Sequence, residues 1–131
     1  MSSQFSKWAV AALSLVSTLA FADVYVISNS GAQLAPTDVR DVFIGEKQFA
    51  GSVKLIPVDN GALQEKFLDA VMKMDASRYS TVWTKKSFRE GINPPPVKSG
   101  DAEVTDFVKK TPGAVGYVSS QPSGVNVIHK Y

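Results

Sequence analysis

The sequence contains no cysteine and a single histidine, His129, among its 131 residues. Without cysteine the chain has no disulfide framework, no thiolate zinc site and no cysteine nucleophile. The hydroxyls of Ser28 and Ser30 lack a base to activate them, and no Gly-x-Ser-x-Gly nucleophile elbow is present. We therefore expect a protein that is not an enzyme and that uses neither a metal nor a cofactor.

An excess of charge of one sign is also lacking. Fourteen Lys and Arg residues oppose twelve Asp and Glu residues, which leaves a formal net charge of +2. So small an excess does not indicate a nucleic-acid-binding face. The hydrophobic fraction of 44% is typical of a globular chain, and the length suits one domain.

The first 22 residues have the pattern of a secretory signal. A polar start with one lysine precedes a mostly apolar run at 8–21, and the small residues Ala20 and Ala22 suit a signal peptidase. The alternative is a membrane anchor, but this run is shorter than the roughly 20 apolar residues that span a bilayer and carries three hydroxyl residues. We predict a signal peptide at 1–22, a mature domain at 23–131 and a periplasmic location.

The mature part alternates between short β-branched runs and segments of helical periodicity. Asp75 is a candidate cap for the third helix, and the triple proline at 94–96 predicts an extended surface connector over 92–98. Phe67 and Trp83 lie on apolar stripes and are predicted core residues. The order predicts an α/β fold with a small mixed sheet sandwiched by helices. The predicted strands are 24–27, 53–58, 114–119 and 125–129, the predicted helices are 36–44, 62–74, 75–88 and 99–111, and 46–52 and 59–61 are predicted loops.

Two polar loops are the candidate ligand-binding segments. The first polar loop is Ser28, Asn29, Ser30 and Gly31, and the second polar loop is Asp59, Asn60, Gly61 and Ala62. Each follows a predicted strand, where open α/β folds bind ligands and where helix N-termini present amide groups to anions. The same residue types also form plain turns and helix caps, so both interpretations remain open.

Charged clusters offer weaker candidates. The carboxylate pairs lie on polar helix faces or in first helical turns, where acidic residues are ordinary. Lys85, Lys86 and Arg89 form a basic cluster that suits either a helix C-terminus or an anion site. The carboxylate pairs are Asp38 with Asp41, Glu65 with Asp69, and Asp101 with Glu103.

Several motifs, in order, resemble the substrate-binding proteins of phosphate ABC importers, specifically the second half of that fold. The likeness spans nearly all of 23–131, and its most specific block is Thr-Pro-Gly-Ala-Val-Gly-Tyr-Val at 111–118. The resemblance implies one lobe of a type II periplasmic binding-protein fold that binds phosphate or another small anion. Its other motifs are Leu-Ala-Pro-Thr-Asp-Val-Arg-Asp-Val-Phe-Ile-Gly at 34–45, Ile-Pro-Val-Asp-Asn-Gly-Ala-Leu-Gln-Glu-Lys-Phe at 56–67 and Lys-Ser-Gly-Asp-Ala-Glu-Val at 98–104.

The sequence departs from the family pattern at the ligand loop. The family commonly carries an arginine followed by Ser-Gly-Thr, whereas this chain has Asp59 and then Gly61, Ala62 and Leu63. The departure implies a weakened or altered ligand site, and it predicts that arginine in place of Asp59 strengthens phosphate binding. The alternative is an interaction module that serves a membrane sensor or transporter, or associates with its own copies, without capturing a ligand.

Overall fold

The computed structural model describes residues 23–131, and the predicted signal peptide at 1–22 lies outside them. Within 23–131 the chain forms eight strands and four α-helices, which confirms the α/β class. No helix in this part is long and apolar enough to cross a membrane. The strands are β1 (Tyr25–Ser28), β2 (Phe49–Ala50), β3 (Val53–Lys54), β4 (Ile56–Pro57), β5 (Asp59–Asn60), β6 (Val97–Lys98), β7 (Ala114–Val118) and β8 (Asn126–Lys130). The helices are α1 (Val39–Phe43), α2 (Gln64–Phe67), α3 (Ala76–Glu90) and α4 (Asp101–Lys110), with a 3-10 turn at Pro36–Asp38 and a π turn at Leu68–Met72.

The largest sheet of the described region has the strand order β4-β7-β1-β8. Strand β7 is parallel to β4 and antiparallel to β1, and β1 is also antiparallel to β8. All five residues of β7 are buried, as their apolar character predicts for a strand with both faces covered. The sheet is therefore mixed, with β7 and β1 at its centre.

Alternating residues of β7 face two different hydrophobic clusters. Val115 and Tyr117 belong to the larger cluster, which also contains residues of α1, α2 and α3. Ala114 and Val118 belong to the smaller one, with Val104 and other residues of α4. Because strand side chains alternate between faces, helices cover the sheet on both sides, in agreement with the predicted sandwich.

Helix α3 has the boundaries that its local sequence signals predict. The Asp75 carboxylate accepts a hydrogen bond from the backbone N–H of Arg78, and Gly91 ends the helix with a left-handed φ of 70°. Tyr79 and Trp83 are buried on its inner face. The predicted helix at 75–88 and the core assignment of Trp83 are confirmed.

The second predicted helix, 62–74, is wrong in its length. Helix α2 covers only Gln64–Phe67, and a π turn over Leu68–Met72 follows it and ends at Lys73, whose φ is 57°. Phe67 and Met72, five residues apart, are both buried, whereas Ala70 is exposed. Residues five positions apart lie on one face only where the helix has the wider π turn. The regular 3.6-residue period used to predict helices does not detect such a turn.

The second predicted strand, 53–58, is divided between two partners, and a third short strand, β5, follows it. β3 pairs with β2, β4 pairs with β7, and β5 pairs with β6, so the predicted loops at 46–52 and 59–61 and the end of the 92–98 connector each contain a short strand. The Leu55 N–H donates to Gln48, whereas the Ile56 N–H donates to Gly113 on the other side. Strands of two residues leave no periodicity to detect.

The C-terminal elements lie where they were predicted. Helix α4, Asp101–Lys110, falls within the predicted 99–111, although Gly100 and not Ser99 occupies the N-cap position. Strands β7 and β8 agree with the predicted 114–119 and 125–129 to within one residue at each end.

Candidate functional site

The two polar loops lie at opposite ends of the central sheet. β1 is antiparallel to β7 and ends with Ser28 beside Val115, whereas β4 is parallel to β7 and the chain after it continues toward Tyr117. The length of β7, about 14 Å at 3.4 Å per residue, separates the two ends. The structure therefore does not bring the two loops together into one site.

The first polar loop uses its side chains to hold neighbouring backbone. The buried Ser28 hydroxyl donates to the Ala32 carbonyl at 3.2 Å. The Asn29 amide donates to the carbonyls of Val108 at 2.9 Å and Lys109 at 3.2 Å, and its oxygen accepts from the Gly31 N–H at 3.0 Å. Ser30 and Gly31 are exposed. The loop thus binds the C-terminal end of α4.

The second polar loop uses its own backbone amides internally. The Gly61 N–H donates to the Lys98 carbonyl at 2.7 Å, and the Ala62 N–H donates to the Asn60 side-chain oxygen at 3.1 Å. The Leu63 N–H donates to the Asn60 carbonyl at 3.0 Å. Three successive amides, which would be the donors for an anion, already have partners.

Asn60 links this loop to α4 and to the sheet. It is fully buried, and its amide donates to the Asp101 carboxylate at 2.9 Å and to the Tyr117 carbonyl at 3.0 Å. Asp101 also accepts from the backbone N–H and the hydroxyl of Ser119. The concave surface beside Gly61 is therefore lined by carboxylates, Asp101 and Glu65, with Lys66 as its only cation among the described residues. This electrostatic environment disfavours a dianion.

Asp59 is buried between two tyrosines. Only 2% of it is exposed, and its two carboxylate oxygens accept hydrogen bonds from the hydroxyls of Tyr79 at 2.9 Å and Tyr117 at 2.8 Å. Burial raises the pKa of Asp59 to about 6, against the lowering effect of hydrogen bonds from Tyr117, Tyr79 and Gln64. Burial and the neighbouring carboxylate raise the pKa of each tyrosine above its ordinary value. Sequence reasoning did not connect either tyrosine with Asp59, because they lie 20 and 58 residues from it in the chain.

The predicted basic cluster does not act as one group. Lys86 forms ion pairs with Glu46 and Glu90, and its side chain is mostly buried. Lys85 and Arg89 are exposed on the outer side of α3. The central cation of the cluster, Lys86, is already paired. The cluster is therefore the ordinary arrangement of basic residues at a helix C-terminus and not an anion site.

A cleft that the sequence did not indicate lies between β4 and the proline connector. It has a volume of about 410 Å³, and its two walls are residues 55–57 and 91–96. The two segments are joined by a hydrogen bond from the Asp59 N–H to the Pro96 carbonyl at 2.8 Å. Trp83, Lys47 and Lys54 also line the cleft. The clustered prolines at 57 and 94–96 are the sequence feature that could have pointed to it, but they predicted only an extended connector.

No protein-family model matches the chain, and no curated protein is significantly similar to it. The resemblance to the phosphate importer proteins therefore remains a prediction from sequence motifs. Among residues 23–131 no group of three or more His, Asp or Glu residues is placed to hold a metal ion.

Proposed function

We propose that this protein is an exported, non-catalytic solute-binding protein, a one-lobe relative of the phosphate importer substrate-binding proteins with an altered ligand site. It binds a solute other than phosphate, and the loop that corresponds to the family's phosphate loop now has a structural role. One observation carries this proposal: the backbone amides of Gly61, Ala62 and Leu63 are all hydrogen-bonded within the protein.

The surroundings of that loop support the same conclusion. Phosphate binding by a loop requires free N–H donors, which a helix N-terminus supplies only while they have no other acceptor. Here Asp59 is buried behind the loop and Asp101 lies beside it, so a phosphate would meet carboxylates in place of the family's arginine and hydroxyls. Freeing the Ala62 and Leu63 amides would also remove the donors to the side-chain oxygen and the backbone carbonyl of the buried Asn60.

The test of the altered site is an isothermal titration of the protein with inorganic phosphate. We expect no saturable heat at phosphate concentrations below about 1 mM, which corresponds to roughly 4 kcal/mol of binding free energy. Saturation in the micromolar range would contradict the proposal. Mass spectrometry of protein exported from cells tests the export and the cleavage of the signal peptide. A mature chain that begins at Asp23 is the expected result.

A second candidate function is protein interaction, with a membrane transporter or sensor or with another copy of the chain. The observation that favours it is the exposure of large apolar side chains, above all Phe88 at 91%, Val97 at 62% and Phe49 at 52%. Interfaces are marked by exposed apolar groups that form one contiguous patch, so this function requires these side chains to lie together. Measuring the mass in solution separates the self-associating form from a monomer.

A further inference from the structure

The cleft between β4 and the proline connector has rigid walls that are apolar except for Asn93. Pro57 lies on one wall, and Pro94, Pro95 and Pro96 lie on the other. Each proline fixes its own φ angle and has no N–H, so these walls are stiff and offer no backbone donor at four positions. A ligand that lies between them therefore gains from apolar contact more than from hydrogen bonds to the walls.

Trp83 contributes apolar surface to the same cleft. Its indole N–H donates to the Phe43 carbonyl at 2.9 Å, and only 5% of the residue is exposed. Because its single donor is used internally, Trp83 presents only ring carbons to the cleft. An aromatic or aliphatic ring is the kind of group that packs against such a surface.

Two lysines give the cleft its charge. Lys47 and Lys54 line it, and within 23–131 neither has a carboxylate within 4 Å, since the ion pairs of this region involve other lysines. The ammonium group of Lys54 lies 5.6 Å from the ring of the exposed Phe49. The nearby carboxylates of Glu46 and Glu90 both bind Lys86. The lining residues thus carry positive charge and no carboxylate.

We propose that this cleft binds a small organic anion with an apolar ring, the ring lying between the proline walls and the anionic group meeting Lys47 and Lys54. The volume of about 410 Å³ falls within the range of small-molecule pockets. The inference rests on the proposed solute-binding function and names both a class of solute and a site distinct from the second polar loop.

The experiment uses a matched pair of fluorescent probes, anilinonaphthalene sulfonate and its uncharged analogue phenylnaphthylamine. Trp83 and Trp8 are the two tryptophans of the chain, and the proposed mature protein beginning at Asp23 lacks Trp8, so Trp83 is its only indole donor for energy transfer. We expect saturable binding of the sulfonate at one site, quenching of Trp83 emission, and binding of the uncharged probe about tenfold weaker, as two lysine contacts imply.

A pair of charge-matched variants locates the site. Lys47→Gln with Lys54→Gln is expected to weaken sulfonate binding about tenfold, whereas Lys85→Gln with Lys109→Gln, at exposed positions outside the cleft, leaves it unchanged. Circular dichroism and a cooperative thermal transition establish that each variant is folded. Equal binding of the two probes, equal effects of the two variants, or no saturable binding would each overturn the inference.

The outcomes separate this inference from the proposed function. Micromolar phosphate binding would contradict the altered site and leave the cleft result unaffected. Failure of the sulfonate to bind, together with failure of phosphate to bind, would remove the cleft as a site and leave the structural role of the second polar loop intact.

Discussion

The side-chain amides of Asn29 and Asn60 bind opposite ends of helix α4. Asn29 donates to the carbonyls of Val108 and Lys109 at its C-terminal end, and Asn60 donates to the carboxylate of Asp101 at its first residue. The helix rises about 15 Å over its ten residues. Each of the two polar loops that the sequence indicated as ligand sites thus fixes one end of the same helix against the sheet.

The Asn29 contact predicts a stability effect with a clear sign. Asn29→Asp replaces a donor by a carboxylate beside carbonyls at the negative end of the helix dipole, which repel it. We expect the free energy of unfolding to fall by about 1 to 3 kcal/mol, measured by urea denaturation. Ser30→Ala in the same loop is the control, because the Ser30 side chain is exposed, and it should change stability by less than about 0.5 kcal/mol. Equal effects of the two changes would contradict the capping role of Asn29.

Asp59 predicts a pH dependence of stability. Its pKa is about 6 in the folded protein and has an ordinary value of 3.8, so the folded state binds this proton more tightly. The contribution of Asp59 to stability is therefore greatest below about pH 4 and is lost as the pH rises to about 6. Over this range the free energy of unfolding should fall by roughly 3 kcal/mol. Above that pH the contribution stays constant.

Urea denaturation between about pH 4 and 7 measures this effect, with Asp59→Asn as the comparison. The asparagine does not titrate, so the difference in unfolding free energy between the two proteins should change with pH in the stated direction. Parallel stability profiles would show that Asp59 does not titrate in this range. Tyr79→Phe removes a hydrogen bond that lowers the pKa of Asp59, and it should shift the transition to higher pH.

The buried position of Asp59 also changes what arginine would do there. The family resemblance predicted that Asp59→Arg strengthens phosphate binding. With only 2% of Asp59 exposed, a guanidinium at this position would be buried between Tyr79 and Tyr117, and we expect loss of the fold in place of a gain in binding. Thermal unfolding followed by circular dichroism distinguishes the two outcomes.

Local signals predicted the features that depend on neighbouring residues. Asp75 and Gly91 marked the ends of α3 correctly, and the β-branched runs marked β1 and β7. The roles of Asn29 and Asp59 depend on partners that are 79 and 58 residues away in the chain, and no local pattern contains them. Sequence reasoning therefore found the residues of the polar loops and missed what they bind.

The relative direction of β1 and β4 was the other feature that the sequence did not show. A ligand site shared by the two polar loops requires these strands to end at the same edge, whereas their pairings with β7 run in opposite directions. Strand direction follows from long-range packing, because a two-residue strand such as β4 has no periodicity of its own.

Gly116 predicts a packing effect between the sheet and α4. A Cβ atom at this position would lie 2.7 Å from a methyl carbon of Val104 and 3.0 Å from one of Val58. Gly116→Ala should therefore lower the free energy of unfolding by about 1 to 3 kcal/mol. Adding Val104→Ala should recover part of that loss, and simple additivity of the two changes in a double-mutant cycle would argue against direct contact.

Phe67 is a core residue, so its truncation should act on stability and not through a ligand contact. Its ring is fully buried and stacks on Tyr117, with centroids 3.8 Å apart. Phe67→Ala should lower the free energy of unfolding by about 3 to 5 kcal/mol because it leaves a cavity in the larger hydrophobic cluster. Phe88→Ala is the matched control, since 91% of Phe88 is exposed and its removal leaves no cavity. If Phe67→Ala left the melting temperature unchanged but abolished binding of the sulfonate probe, Phe67 would be a ligand contact and its assignment to the core would be wrong.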